Sequence, residues 1–230
     1  QDVITYYSFS GNIEPGDTKV VTATAPLKVR SLLKAQGDAV QEEEDVLRPR
    51  SGSRIEAGLA GTLTDVYVEE EETVPAGGEL FRVADYDHPL VAIRVDEYDV
   101  GALQVGMEVT VYVHALDQTL FGKITDIGRE AAVEGSIAYY DAKVSVPQDG
   151  TLRMGMSAEV TAVKDRALLA TTLPIKAIQF DENNLPFVLC YGRGEEIVPQ
   201  ALTLGISNGS VVQVLDGIKT GETVFYPQEE

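Results

Sequence analysis

The sequence predicts a mainly β protein, an elongated chain of small β domains, on three observations. Val, Thr, Gly and Tyr are frequent, long helix-forming runs are scarce and Trp is absent, a composition that favours strands. Short apolar runs recur at roughly ten-residue spacing, parted by Gly, Asn and Pro, as in small barrels and sandwiches. Residues 25–81 also contain one short pattern twice. APLKVRSLLKAQGDAVQEEEDVL (25–47) aligns without gaps on LAGTLTDVYVEEEETVPAGGELF (59–81). Val29 falls on Leu63, Leu32 on Val66, Val40 on Val74 and Val46 on Leu80, at a constant offset of 34 residues (29 to 63, 40 to 74). Each copy is an alternating apolar run, an acidic or Gly-Asp turn, and a second apolar run. Neither half can bury its apolar face alone, so the two are expected to close into one sandwich.

Taken in order, residues 3–13 read as a strand rich in β-branched and aromatic residues, ended by Glu14-Pro15-Gly16-Asp17, and 19–24 as a second strand. In the first copy 28–35 alternates loosely before Gln36, Gly37 and Asp38 turn the chain, and Glu42-Glu43-Glu44-Asp45 reads as a solvated turn. In the second copy Glu69, Glu70, Glu71 and Glu72 form the matching turn and Pro75-Ala76-Gly77-Gly78 the next. Between the copies lies 48–56, RPRSGSRIE, basic and without apolar periodicity. Arg48, Pro49, Arg50, Ser51, Gly52, Ser53 and Arg54 thus mark a composition break at the symmetry point, and Ser-Gly-Ser has the composition of a flexible linker. After Phe81, residues 90–95 form a strand, and 96–103 a short helical turn with Asp96 as N-cap candidate. Strands at 109–113 and 121–127 flank an Ala-Leu-Asp-Gln turn; 139–146 and 158–163 follow, parted by a turn at 147–150. A third group of strands begins at Ala170: ATTLPIKAIQF, PFVLCY, EEIVPQALTLG, SVVQVLDG and ETVFYP.

Composition narrows the function. The 230 residues suffice for one large domain or a few small ones, and 44% apolar with 24% charged residues is ordinary for a soluble globular chain. A formal charge of −19 argues against gripping nucleic acid by its phosphates and against docking on an anionic lipid surface. The single cysteine, Cys190, excludes an intramolecular disulfide and a Cys-rich zinc site, and its apolar run PFVLCYG marks a structural thiol. No window approaches 18 uninterrupted apolar residues, so no membrane span is expected. The sequence opens at Gln1 without a basic or apolar leader, the expectation being a removed targeting segment or an excised fragment.

Catalytic signals are missing. His88 and His114, the only histidines, sit beside turns without a ligand pattern. There is no nucleophile elbow, P-loop or dinucleotide fingerprint. The carboxylates crowd at turns, where no apolar pocket raises a pKa. No enzyme, metal or cofactor is expected.

The duplicated unit, with its Gly-Asp turns, resembles the lipoyl/biotinyl carrier fold. Such a carrier acylates a lysine at the tip between its halves. Here no lysine occurs between Lys34 and Lys123, and the tip at 47–56 offers arginines only. The scaffold matches and the carrier chemistry does not.

Further along, the resemblance sharpens. A lipoyl-like unit followed by LVAIRVDEYDVGALQVGMEVTVYV, FGKITDIG and LRMGMSA resembles the periplasmic adaptor, or membrane fusion protein, family of MacA/HlyD type. Leu103, Gly106, Val109 and Val111 match one family phrase; Leu152, Gly155, Met156, Ala158 and Val160 a second; Leu173, Pro174, Ala177 and Ile178 a third. The closing phrase is matched by Leu202, Gly205, Ile206, Gly209, Val212, Val214, Gly217, Gly221 and Val224. Each phrase is weak by itself; their order across 25–224 carries the resemblance.

The resemblance implies three nested domains in which N- and C-terminal segments share sheets. These are a lipoyl-like domain at 25–81 (halves 25–47 and 57–81, junction 48–56), a β-barrel with one short helix at 5–24 plus 82–166, and a membrane-proximal β domain at 1–4 plus 167–230. It also implies a non-catalytic subunit of an export complex outside the cytoplasmic membrane, anchored in the full-length protein. Copies would form a ring, commonly a hexamer, seated on an ABC (MacB-like) or RND transporter and reaching an outer-membrane channel where one exists. Gln36, Gly37, Asp38 and Glu69 to Glu72 are then candidates to face the ring lumen or a neighbouring copy, or are plain solvated turns. One departure stands out. Family members usually carry a long α-helical hairpin between the lipoyl halves, where this chain has only 48–56. Either the hairpin has been removed and bridged, which the Ser-Gly-Ser composition favours, or the chain is a naturally hairpinless member. The alternative reading is a secreted or surface-attached all-β binding module without a transporter.

Overall fold

A computed structural model describes residues 1–192 and 196–226; of the expected third-group strands, Glu195 and Pro227 lie outside them. The chain divides into two compact units, Phe9–Val160 and Gln1–Ser8 with Thr161–Glu230.

In the first unit the duplication becomes two four-stranded sheets. One orders Thr18–Thr22, Glu79–Ala84, Gly61–Val66 and Ala39–Val40; the other Ile55–Glu56, Asp45–Pro49, Leu27–Leu32 and Thr73–Val74. The 34-residue offset persists in the register. Val29↔Pro49, Ser31↔Arg48 and Leu32↔Leu47 recur as Leu63↔Val83, Asp65↔Arg82 and Val66↔Phe81, with a bulge at the same place. Each half also lends a two-residue strand to the other's sheet: Thr73–Val74 pairs with Leu27–Leu32, and Ala39–Val40 with Gly61–Val66. This exchange is why neither half can stand alone. Val29, Val40, Val46 and Leu47 meet Leu63, Val74, Leu80 and Phe81 in one core.

One pairing differs from the sequence reading. Residues 5–24 were expected to join the barrel, but Thr18–Thr22 pairs with Glu79–Ala84 in the sandwich. Val21 lies opposite Phe81 and packs on the sandwich core, so its apolar side chain has its partners there.

The barrel closes in the order Val3–Glu14, Leu90–Asp96, Ile137–Ser145, Gln118–Glu134, Glu108–Val113 and Ser157–Ala167. Alternate residues point inward, among them Val91, Ile93, Val95, Val109, Val111 and Val113. The helical segment at 96–103 is a single 3-10 turn, Val100–Ala102. It is led in by the Asp96 carboxylate, which accepts hydrogen bonds from the Tyr98 and Asp99 amides at 2.9 and 3.0 Å. Strand Gln118–Glu134 has 17 residues, far beyond the 121–127 that alternation marks. Past Ile124 it pairs with Ile137–Ser145 through two register shifts, and beyond residue 128 its residues are exposed. A ribbon wet on both faces carries no apolar alternation to read.

In the second unit, a three-stranded sheet (Thr172–Pro174, Val211–Asp216, Thr203–Ser207) and a four-stranded one (Gln179–Phe180, Pro186–Tyr191, Ile197–Ala201, with Val224–Phe225) enclose Leu173, Val188, Leu202, Val212 and Val214. The run EEIVPQALTLG divides between the sheets at the buried Leu202, whose amide donates to the Pro186 carbonyl at 2.9 Å. Cys190 is half-buried in Pro186–Tyr191.

Candidate interaction site

The two turns singled out in the repeat are one turn used twice. Gly37 N–H donates to Leu63 O at 2.8 Å, and Glu71 N–H to Val29 O at 3.0 Å. The Asp38 carboxylate accepts from the Ala35 amide and the Glu72 carboxylate from the Glu69 amide, each at 2.8 Å. Leu63 N–H donates to Asp38 O and Val29 N–H to Glu72 O, each at 2.9 Å. Both turns, 35–38 and 69–72, need a left-handed residue at the third position: φ is 94° at Gly37 and 66° at Glu71. Glycine takes that conformation freely, whereas a Cβ at Glu71 is strained against the backbone.

Glu71 has compensating contacts in this conformation. Its carboxylate binds the Arg50 guanidinium and sits 3.3 Å from Lys28 Nζ. The hydrogen bond from Arg50, then that from Lys28, holds the carboxyl below the usual glutamate range. Neighbouring groups are also engaged: Glu70 Oε1 accepts from the Leu32 amide at 3.3 Å, and Gln36 Nε2 donates to Thr64 O at 2.7 Å.

The junction between the halves is smaller than the composition break. Arg48 and Pro49 belong to strand Asp45–Pro49, opposite Ser31 and Val29, and Ile55 lies opposite Leu47. Only residues 50–54 turn the chain, and even there Arg50 N–H donates to Lys28 O at 2.8 Å and Arg54 pairs with Asp45 at 2.6 Å. Ser51, Gly52 and Ser53 are exposed. The structure therefore joins the 69–72 turn to the junction through Arg50 and Glu71, while the 36–38 turn contacts Leu63 and Thr64 on the other sheet. Arg30, not singled out in the sequence, is exposed at the register shift between Val29 and Ser31, one residue from the partner of Arg48, and neither arginine has an ion pair among the described residues. The repeat contained a signal for this: Asp65 faces Arg82 in the second half, where Ser31 faces Arg48 in the first.

Substituting Glu71 tests this balance of strain and charge. Glu71→Gln keeps the left-handed strain and loses the ion pair, so it should melt below the parent; Glu71→Gly removes both and should melt above Glu71→Gln. A carboxyl lowered by folding stabilises above its ordinary value near 4.5 and loses that contribution as pH falls through the folded value. The gap between parent and Glu71→Gln should thus close on acidification and shrink in high salt, read by thermal denaturation.

Outside this region the two histidines make local contacts with their neighbours. His88 Nδ1 lies 2.9 Å from Asp85 Oδ2, and the Asp85 carboxylate also accepts from the Asp87 and His88 amides. Burial pushes the Asp85 carboxyl up, but those hydrogen bonds outweigh it and the net direction is down, the mark of a turn cap. His114 packs edge-on against Tyr112. Among the described residues no three His, Cys, Asp or Glu side chains could share a metal ion, and no helix is long and apolar enough to cross a membrane.

The described residues thus form a duplicated β sandwich, a six-stranded barrel and a further pair of small sheets. In sequence and fold the chain is similar to the membrane fusion, or periplasmic adaptor, proteins of export systems. The macrolide export protein MacA of Escherichia coli O157:H7 is 26% identical over 177 residues, 75% of this chain and 48% of that protein. The pyoverdine export membrane fusion protein PvdR of Pseudomonas putida is 26% identical over 198 residues, 74% of this chain and 50% of that protein. The crystal structure of MacA from Actinobacillus actinomycetemcomitans superposes with a TM-score of 0.80 at 16% identity, covering 99% of this chain and 97% of that one. No family model matches. The chain spans about half the length of the curated relatives it matches. Those relatives are named for export and membrane fusion, in keeping with a non-catalytic protein.

Proposed function

We propose that this chain is the extracytoplasmic part of an adaptor subunit in a membrane export complex. The observation that carries the reading is the shared one: sequence likeness to MacA and PvdR together with a MacA-like fold over nearly the whole chain. Copies would stand in a ring, as six in the commonest arrangement of such adaptors, seated on an ABC (MacB-like) or RND transporter. In a cell with an outer membrane, the far end would address a channel there.

Three domains serve this role: the lipoyl-like sandwich, the barrel and the membrane-proximal sheets. In the ring, the turns at Gln36-Gly37-Asp38 and Glu69 to Glu72 face a neighbouring copy or the lumen. The 50–54 turn stands where the helical hairpin of family members would leave the sandwich. Its ion pairs to Glu71 and Asp45 favour a closed tip over a loose linker.

Light scattering across protein concentration, alone and with the extracytoplasmic domain of the transporter encoded beside it, tests the proposal. Concentration-dependent assembly, transporter binding and a rise in transporter ATPase rate on co-reconstitution are the expected results. A strict monomer that ignores the transporter would sink the adaptor reading in favour of a free-standing binding module.

A further inference from the structure

In the unit Gln1–Ser8 with Thr161–Glu230, two adjacent leucines are largely left outside the core. Leu168 and Leu169 form the turn after strand Ser157–Ala167 and are 58% and 91% exposed. Leu169 is also left-handed, with φ 50°, a conformation that turns usually assign to Gly or Asn. An exposed leucine alone is ordinary; what sets Leu169 apart is that the most exposed large apolar side chain among the described residues also sits in a conformation that costs it about 1–2 kcal/mol.

The turn is nevertheless held firmly. Leu169 N–H donates to the Asp2 carboxylate at 2.9 Å, and the Gln1 nitrogen donates to the Ala170 carbonyl at 3.0 Å, as Ala170 N–H does to Gln1 O. Behind it, residues 3–8 and 161–167 are held together by Thr5 and Asp165: the Thr5 hydroxyl donates to the carboxylate at 3.3 Å and accepts the Asp165 amide at 3.1 Å.

This ribbon carries a distinctive set of side chains. Tyr6 is 55% exposed, Lys164 Nζ lies 4.9 Å from the centre of the Tyr7 ring, and Arg166 is exposed without an ion pair among the described residues. Residues 161–176 hold Lys164, Arg166 and Lys176 against Asp165 alone, in a chain where acids outnumber bases 37 to 18. Leucines at the tip, tyrosines behind them and cations beside the rings match the layers of a membrane interface: acyl chains, headgroup boundary and phosphates.

We propose that the Leu168–Leu169 turn dips into the outer edge of a phospholipid bilayer, with Lys164 and Arg166 at the lipid phosphates. This does not depend on the adaptor reading and holds whether or not a transporter is the partner. Two leucines give reversible contact rather than an anchor. Because the whole chain is strongly acidic, a zwitterionic surface suits it better than an anionic one, offering phosphates without net repulsion.

The chain has no Trp, so Leu169→Trp in the full 230-residue chain is a single reporter. With phosphatidylcholine vesicles its emission should shift to the blue and be quenched by bromine-labelled acyl chains. A Trp reporter replacing the exposed Phe121 in the other unit should not respond. Leu169→Asn, which suits a left-handed turn, should keep or raise the melting temperature while lowering vesicle partition about tenfold, equivalent to about 1.4 kcal/mol. An unchanged Leu169→Trp emission at all lipid concentrations, or full partition by Leu169→Asn, overturns the proposal. So does a lowered melting temperature of Leu169→Asn, which would make Leu169 a packing residue. A blue shift produced by a transporter's extracytoplasmic domain without lipid would instead assign the turn to protein docking.

Discussion

Phe81→Ala is expected to destabilise the sandwich by about 3–5 kcal/mol, the range for removing a fully buried aromatic side chain. Phe81 is wholly buried and heads the largest fully buried side chains. It lies opposite Val66 on one side and Val21 on the other, and all three side chains pack in the core formed by strands from three parts of the sequence. Its equivalent under the 34-residue offset is Leu47, also wholly buried and opposite Leu32. Leu47→Ala should cost about 2–5 kcal/mol, and the smaller side chain puts it below Phe81→Ala. Both face one core, so the double substitution should depart from additivity by about 0.5 kcal/mol or more. Urea unfolding with an unchanged slope reads these values. A cost below about 1 kcal/mol for Phe81→Ala would mean that the two sheets do not share a core.

Gly217→Ala carries the second large effect, in the other unit. Gly217 follows strand Val211–Asp216 with φ 111°, where L residues are strained. An added Cβ would overlap the Ala201 carbonyl oxygen and lie 2.9 Å from Leu202 Cδ2 and 3.1 Å from Leu202 Cα. Two of these three atoms are backbone, and Leu202 is itself part of the core, so the surroundings cannot yield. Overpacking of about 1–3 kcal/mol and conformational strain of about 1–3 kcal/mol add to an expected loss of about 2–6 kcal/mol. Gly52→Ala is the control: φ is 97° there too, but the added carbon meets nothing within 4 Å. It should cost only the conformational part, about 1–2 kcal/mol. Hydrogen exchange should place the Gly217→Ala loss in strands 186–191 and 211–216 and leave the sandwich protected. Equal losses for the two substitutions would sink the steric argument.

The repeat was legible because burial imposed the same apolar positions twice. Val29 and Leu63, Val40 and Val74, and Val46 and Leu80 were paired from the letters, and all six are in one core. Turns were legible where chemistry forces a residue type, as at Gly37 and Asp38. Other features left no local trace. Ala39–Val40 and Thr73–Val74 are too short for any periodicity and exist as strands only through the opposite half. Residues 18–22 alternate no more clearly than a barrel strand would, and the partner across the sheet assigned them. The ribbon beyond residue 128 has no dry face, so its length was invisible.

The candidate site divides the same way. That Glu69 to Glu72 form a turn, and that arginines rather than lysines occupy 48–54, followed from the sequence. That Glu71 is left-handed and clamped by Arg50 and Lys28 did not, since ion pairing depends on which charges folding brings within reach, and four consecutive glutamates are equivalent until then. The sequence by itself determined a mainly β chain with a duplicated sandwich and no means of acylation at its tip, because hydrophobic periodicity and residue chemistry are local properties. Only the tertiary structure decided that the halves exchange strands, that the junction closes as an ion-paired turn, and that Leu168 and Leu169 are left facing outward, because burial, register and charge pairing arise between residues far apart in the chain.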